Sequence, residues 1–132
     1  LDAAKILEDK YNLSAEVIDA RSLVPFNYEK VIESVKKTGR IIITGDATGR
    51  GSFMRDLASN ITELAFDYLD APPVVVGSRN WITPAHEIED YFFPQPEWII
   101  DAIHEKILPL KNHVAENDFS DEEQMERNAN GV

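Results

Sequence analysis

The sequence predicts an α/β domain: three layers, with helices on both faces of a largely parallel sheet. Two observations carry this. Short β-branched apolar runs alternate with amphipathic stripes along most of the chain, which implies right-handed βαβ crossovers. The run around Ile41-Ile42-Ile43 is continuously apolar, as suits a strand covered on both faces. At 132 residues the chain has room for one core and not for two.

The elements follow in order. Residues 1–11 read as an amphipathic helix whose stripe is Ala3, Ala4, Leu7 and Tyr11. This stripe has no start signal before it, and Leu1 is neither Met nor a cap, so the chain is expected to be a piece of a longer polypeptide. Residues 16–20 have a β-branched centre and read as a short buried strand. Residues 21–26 form a loop, where Pro25 stops the strand. Asn27 is an N-cap residue, and Tyr28, Val31, Ile32 and Val35 give the next helix one apolar face. Lys36 and Lys37 complement the dipole of its last turn, and Gly39 suits its C-cap.

Residues 40–44 are the second strand and 45–51 a glycine-rich turn. A long helix over 52–68 is expected to bury Phe53, Leu57, Ile61, Leu64 and Tyr68. Ala71-Pro72-Pro73 breaks it, and Val74-Val75-Val76 is the third buried strand. Residues 78–95 are less regular. Pro96 opens a last helix through Leu108, with Ile99, Ile100, Ile103 and Ile107 as its buried face. Three strands make a thin sheet, and a first strand missing from this sequence would complete it. The domain is assigned to residues 1–112. Residues 113–132 are acidic and polar and read as a disordered tail.

Thirteen basic against twenty-four acidic residues give a net charge of −11. Nucleic acid and an anionic membrane surface are disfavoured as partners, because both need a basic face. A basic protein partner is compatible with that field. The absence of cysteine excludes thiol catalysis, disulfides and thiolate metal sites, and a reducing cytoplasm is compatible with it. No apolar run reaches the length of a membrane span.

Few motifs carry chemistry. The amides of the Gly45–Ser52 turn and the following helix dipole could hold a phosphate. Its spacing is neither GxGxxG nor GxxxxGK[ST], so it is read as a strand-to-helix connection. His86-Glu87-Ile88-Glu89-Asp90 starts like a zinc-protease helix, but Asp90 stands where the second histidine belongs, which leaves an acidic helical turn. Asp101 and His104 form an i, i+3 pair expected on the surface, and His113 has no readable role. No serine lies in a nucleophile elbow. Trp81 and Trp98 flank the proline-rich stretch and read as packing anchors, or as an interface if exposed.

Three segments carry a family resemblance: Asp19-Ala20-Arg21-Ser22-Leu23-Val24-Pro25, Lys36-Lys37-Thr38-Gly39-Arg40-Ile41-Ile42-Ile43, and Ala65-Phe66-Asp67-Tyr68-Leu69-Asp70-Ala71-Pro72. With Pro94-Gln95-Pro96-Glu97, they resemble the C-terminal, transketolase C-terminal-like domain of the β part of thiamine-diphosphate-dependent 2-oxoacid dehydrogenase E1 components. The match runs from Ala3 to about Leu108. It departs at Ser52-Phe53-Met54-Arg55-Asp56, at Trp81-Ile82-Thr83-Pro84-Ala85 and in the acidic extension, and is nearest to a branch with the α and β parts fused.

The resemblance implies an assembly and partner-docking domain with no catalytic, cofactor-binding or metal-binding residue of its own. Thiamine diphosphate and magnesium belong to the full enzyme, and the chain alone is expected to be inactive. The implied partners are the remaining E1 domains or subunits, a second copy in a homo-oligomer, and the lipoyl acyltransferase E2. Asp70 aligns with an acidic docking position, Arg21 is placed to bridge carboxylates at a contact, and Trp81 and Trp98 are further interface candidates. A cytoplasmic location is expected. The alternatives are a free-standing α/β interaction module and the C-terminal domain of another transketolase-superfamily enzyme.

Overall fold

The computed structural model describes residues 1–131. Its helices are α1 (Asp2–Tyr11), α2 (Tyr28–Thr38), α3 (Phe53–Ala65), α4 (Pro96–Lys106) and α5 (Asp121–Asn130), and its strands are β1 (Ile42–Thr48) and β2 (Val74–Ser78). Single 3₁₀ stretches follow α3 at Phe66–Tyr68 and precede α4 at His86–Tyr91.

β1 and β2 pair in parallel, with Ile42 opposite Val74, Ile43 opposite Val75 and Thr44 opposite Val76. The period of two along a strand sends alternate residues to opposite faces. Ile43 and Val75 pack with Met54 and Ala58 of α3, and α2 adds Val31 and Val35 against Leu57 and Ile61 on the same side. Val74 and Val76 meet Trp98 and Ala102 of α4 on the other face. There α1 lays Ala3 and Leu7 on Ile100. The three-layer α/β arrangement is therefore present, around a two-stranded parallel sheet.

The helix ends obey local chemistry. Asn27 caps α2, its side chain accepting from the Lys30 amide at 3.4 Å, and Gly39 closes it at φ +69°. α1 ends on Asn12 in the left-handed conformation, which Asn tolerates better than most residues.

Four expectations are corrected. Residues 16–20 form no strand and lie exposed, because β-branched residues make a strand only where a ladder receives their amides. β1 runs on to Thr48, with an irregularity between Thr44 and Thr48, so half of the expected glycine turn is strand. The buried stripe of α3 is Met54, Leu57, Ala58, Ile61 and Ala65, while Phe53, Leu64 and Tyr68 are exposed. The small residues Ala58 and Ala65 let the helix approach the sheet along a line offset from the bulky ones. α4 turns Trp98, Ile100, Asp101 and Ala102 inward, leaving Ile99, Ile103 and Ile107 half-buried.

The acidic extension also departs from its composition. Ser120 caps α5 by accepting from the Glu123 amide at 3.3 Å, and Asp121 to Glu123 sit in its first turn, where the dipole favours carboxylates. Lys106 pairs with Asp121, and Glu105 accepts from the Phe119 amide.

Candidate functional site

β1 gives one edge to β2. Its other edge borders a cleft of about 550 Å³. Ile41, Ile42 and Ile43 form one wall of this cleft, and Val17 and Ile18 line it too. Leu57 and Ile61 close it from the α3 layer, and Ile99 and Ile103 from the α4 layer. No β2 residue lines it, so it lies on the side of β1 away from the ladder. The slot thus has helices above and below and an unpaired strand edge along its side, with amides and carbonyls ready for a further strand.

Asp70 lies at one flank. Its amide donates to the Gly39 carbonyl at 2.7 Å, and its carboxylate stands 3.7 Å from the Arg40 guanidinium with the acid largely exposed. The α2 C-cap therefore fixes this acid at the surface, one residue from the start of the strand run. Arg21 is exposed and donates to Asp19 at 2.9 Å, a local pair within its own loop. That hydrogen bond, and then the Asp19 charge, raises the Arg21 pKa. The two candidates are not brought into contact with each other by any hydrogen bond or ion pair.

The two tryptophans separate. Trp81 is 60 % exposed, beside Ile82 at 95 %. Trp98 is 8 % exposed, packs on Val74, Val76 and Ala102, and carries the Arg79 guanidinium 4.1 Å from its ring centroid. Trp98 is thus a packing anchor, whereas Trp81 stands exposed.

The most connected polar group was missed. Asp101 was expected to meet His104 on the surface, yet it is 2 % exposed. His113 Nε2 lies 2.7 Å from its Oδ1, while the amides of Glu116 and Asn117 and the Asn117 side chain donate to its Oδ2 at 3.2, 3.0 and 2.9 Å. Burial alone would push the Asp101 pKa up. The hydrogen bonds from Asn117, His113 and Glu116 outweigh it and hold the carboxyl below its ordinary value. His113 Nδ1 in turn lies 2.8 Å from the Tyr11 hydroxyl. Both ring nitrogens are engaged, so this chain is a strut between α1, α4 and the extension rather than a base facing a substrate. His104 Nδ1 accepts from the Leu110 amide at 2.8 Å. The signal available in the sequence was an acid on the apolar face of α4, between Ile100 and Ala102.

His86 is exposed and pairs with Glu89 at 2.9 Å, which raises its pKa through that hydrogen bond first. Among the described residues no group of three or more His, Cys, Asp or Glu is placed to hold a metal ion, and no helix is long and apolar enough to cross a membrane.

Comparison with known proteins gives one consistent result. Residues 1–99 match the family model for the transketolase C-terminal domain. The chain is 40 % identical over 107 residues to the mitochondrial pyruvate dehydrogenase E1 component subunit beta of Saccharomyces cerevisiae, covering 80 % of this chain and 29 % of that protein. It is 36 % identical over 112 residues to the pyruvate dehydrogenase E1 component subunit beta of Rickettsia bellii, covering 84 % and 34 %. Against the 2-oxoisovalerate dehydrogenase subunit beta of Pseudomonas aeruginosa it is 40 % identical over 94 residues, covering 70 % and 26 %. The chain spans about a third of the length of these relatives.

Proposed function

The chain belongs to the transketolase C-terminal domain family, and from that membership we propose that it serves as the C-terminal assembly domain of a 2-oxoacid dehydrogenase E1 component. The observation that carries this is the open β1 edge with its apolar slot. A two-stranded parallel sheet that leaves Ile41–Ile43 beside an empty strand position is built to be completed by more protein. The relatives' greater length, and their naming as E1 and 2-oxoisovalerate dehydrogenase β subunits, supply the kind of protein that completes it.

In this reading the full enzyme oxidatively decarboxylates a 2-oxoacid and passes the acyl group to a lipoyl carrier. Thiamine diphosphate and magnesium are assigned to the remaining E1 domains, with this chain contributing packing and partner contacts. The departures at Ser52–Asp56 and Trp81–Ala85 favour an E1 whose α and β parts are fused, assembling as a homo-oligomer in the cytoplasm. The exposed Asp70 carboxylate and the net charge of −11 suit a basic subunit-binding segment of the E2 acyltransferase, which such a field would steer and orient.

An immunoblot of source cells with an antibody to this domain tests the reading. A band several times the mass of the 132-residue chain is the expected result. A band at 14.9 kDa with no associated protein would favour a free-standing module.

A further inference from the structure

A second cleft, of about 390 Å³, lies past the carboxyl ends of both strands. In open parallel sheets this is where ligands settle, because loops diverge there and helices begin. Its lining includes Arg50 from the turn before α3, Arg55 from the first turn of α3, Arg79 after β2, Arg127 on α5, and Trp81. A single carboxylate, Glu123, also lines it and pairs with Arg127. Four guanidinium groups against one acid is an inverted balance in a chain that carries −11 overall.

Three of the four arginines, Arg55, Arg79 and Arg127, are held by neighbours. Arg79 stacks on Trp98 with its carbon 4.1 Å from the ring centroid and donates to Asn117 at 3.0 Å. Arg55 Nε donates to the Gly49 carbonyl at 2.9 Å, which leaves its terminal nitrogens free of that bond. Burial lowers the Arg79 pKa, and the nearby positive charge of Arg127 lowers it further. Two cations are thus kept close, with the Glu123 carboxylate offsetting Arg79 and both Glu123 and Asp118 near Arg127. Beneath the cleft the two strand ends are packed closely: a Cβ on Gly77 would lie 2.5 Å from the Ala47 carbonyl and 2.6 Å from the Gly49 amide.

We propose that this cleft binds the phosphate group of a small molecule, with Arg50, Arg55, Arg79 and Arg127 as its donors. Guanidinium forks match phosphate oxygens in geometry and charge. Trp81, exposed on the rim, offers a face on which a base attached to that phosphate would stack. Because Arg127 rides on α5, and Asn80 donates to the Gly131 carbonyl at 2.7 Å, occupancy would also fasten α5 to the sheet. This site stands apart from the E1 reading and from the β1 edge.

The test is calorimetric titration of the native polypeptide carrying this sequence with inorganic phosphate and with a nucleoside monophosphate. Wild type is compared with Arg79→Gln/Arg127→Gln, with Arg50→Gln/Arg55→Gln and with Lys10→Gln on α1. Saturable binding that weakens about tenfold or more in both double variants and is unchanged in the control is expected. Tighter binding of the nucleotide, lost in Trp81→Ala, would identify an ester as the ligand, and equal binding would identify free phosphate. No saturable binding, or binding unchanged by Arg50→Gln/Arg55→Gln, would overturn the site. The latter pair is exposed, so it decides the matter even where the Arg79 variant fails to fold.

Discussion

The Asp101 carboxylate and the His113 ring meet at 2.7 Å across the seam between α4 and the acidic extension. Asp101 is the only charged residue among the buried ones described, and all four of its hydrogen bonds come from residues 113–117. The extension is therefore tied to the core by an acid that composition alone counts as one more negative charge.

Replacing Asp101 by Ala should release that tie. Losing hydrogen bonds to a buried charged acceptor costs about 1.5–3 kcal/mol, and the amides of Glu116 and Asn117 should lose protection in hydrogen exchange while those of α2 keep theirs. The pH dependence has a definite sign. Asp101 has a depressed folded pKa, so its contribution is present above the unfolded carboxylate value and is lost as pH falls through the lower folded value. Protection of residues 116–117 should hold at neutral pH and fade only in acid, below the ordinary carboxylate range.

Gly39→Ala should destabilise α2 and displace Asp70 together. At φ +69° an added Cβ would sit 2.4 Å from Asp70 Oδ2, in a backbone region costing about 1–2 kcal/mol for a non-glycine residue. Denaturant midpoints would show the stability loss. Gly39→Asn, which tolerates this φ better, should recover part of the strain while keeping the clash.

Ile61→Ala should be among the costliest single changes. Ile61 is 1 % exposed and touches the α2–α3 core and the open slot. A cavity there costs about 2–5 kcal/mol, read as a shift in the unfolding midpoint at unchanged slope.

Asp70→Lys tests the proposed docking role with little risk to the fold, since the acid is exposed and its ion pair with Arg40 is a surface one. Binding to E2 should weaken steeply and lose salt sensitivity, while Asp70→Glu should retain it. Surface plasmon resonance at two ionic strengths measures both. Equal affinity for all three proteins would remove Asp70 from the interface.

Much of the fold was legible because its signals are local. Asn27 and Gly39 mark the two ends of α2, and Ile41–Ile43 and Val74–Val76 mark strands packed by helices on both faces, with β2 buried and β1 half-buried. The failures share a cause in tertiary context. The 16–20 segment has strand chemistry, but a strand needs a neighbour, and the slot between Val17 and Ile41 separates it from β1. In α3 the bulky stripe through Phe53 and Leu64 misled, because Ala58 and Ala65 are the residues that permit close packing. Asp101 and His113 are 12 residues apart with α4 ending between them, and no local spacing rule links such a pair. Of the interface candidates, Asp70, Arg21 and Trp81 are exposed, whereas Trp98 belongs to the core.

The most direct measurement is turnover by the native assembly that carries this domain, captured with the domain antibody and supplied with thiamine diphosphate, magnesium and either pyruvate or a branched-chain 2-oxoacid. Release of carbon dioxide from one of them, dependent on the added thiamine diphosphate, is the predicted result. A captured assembly that holds no E1-sized polypeptide and decarboxylates neither substrate would contradict the assignment of this chain to a 2-oxoacid dehydrogenase.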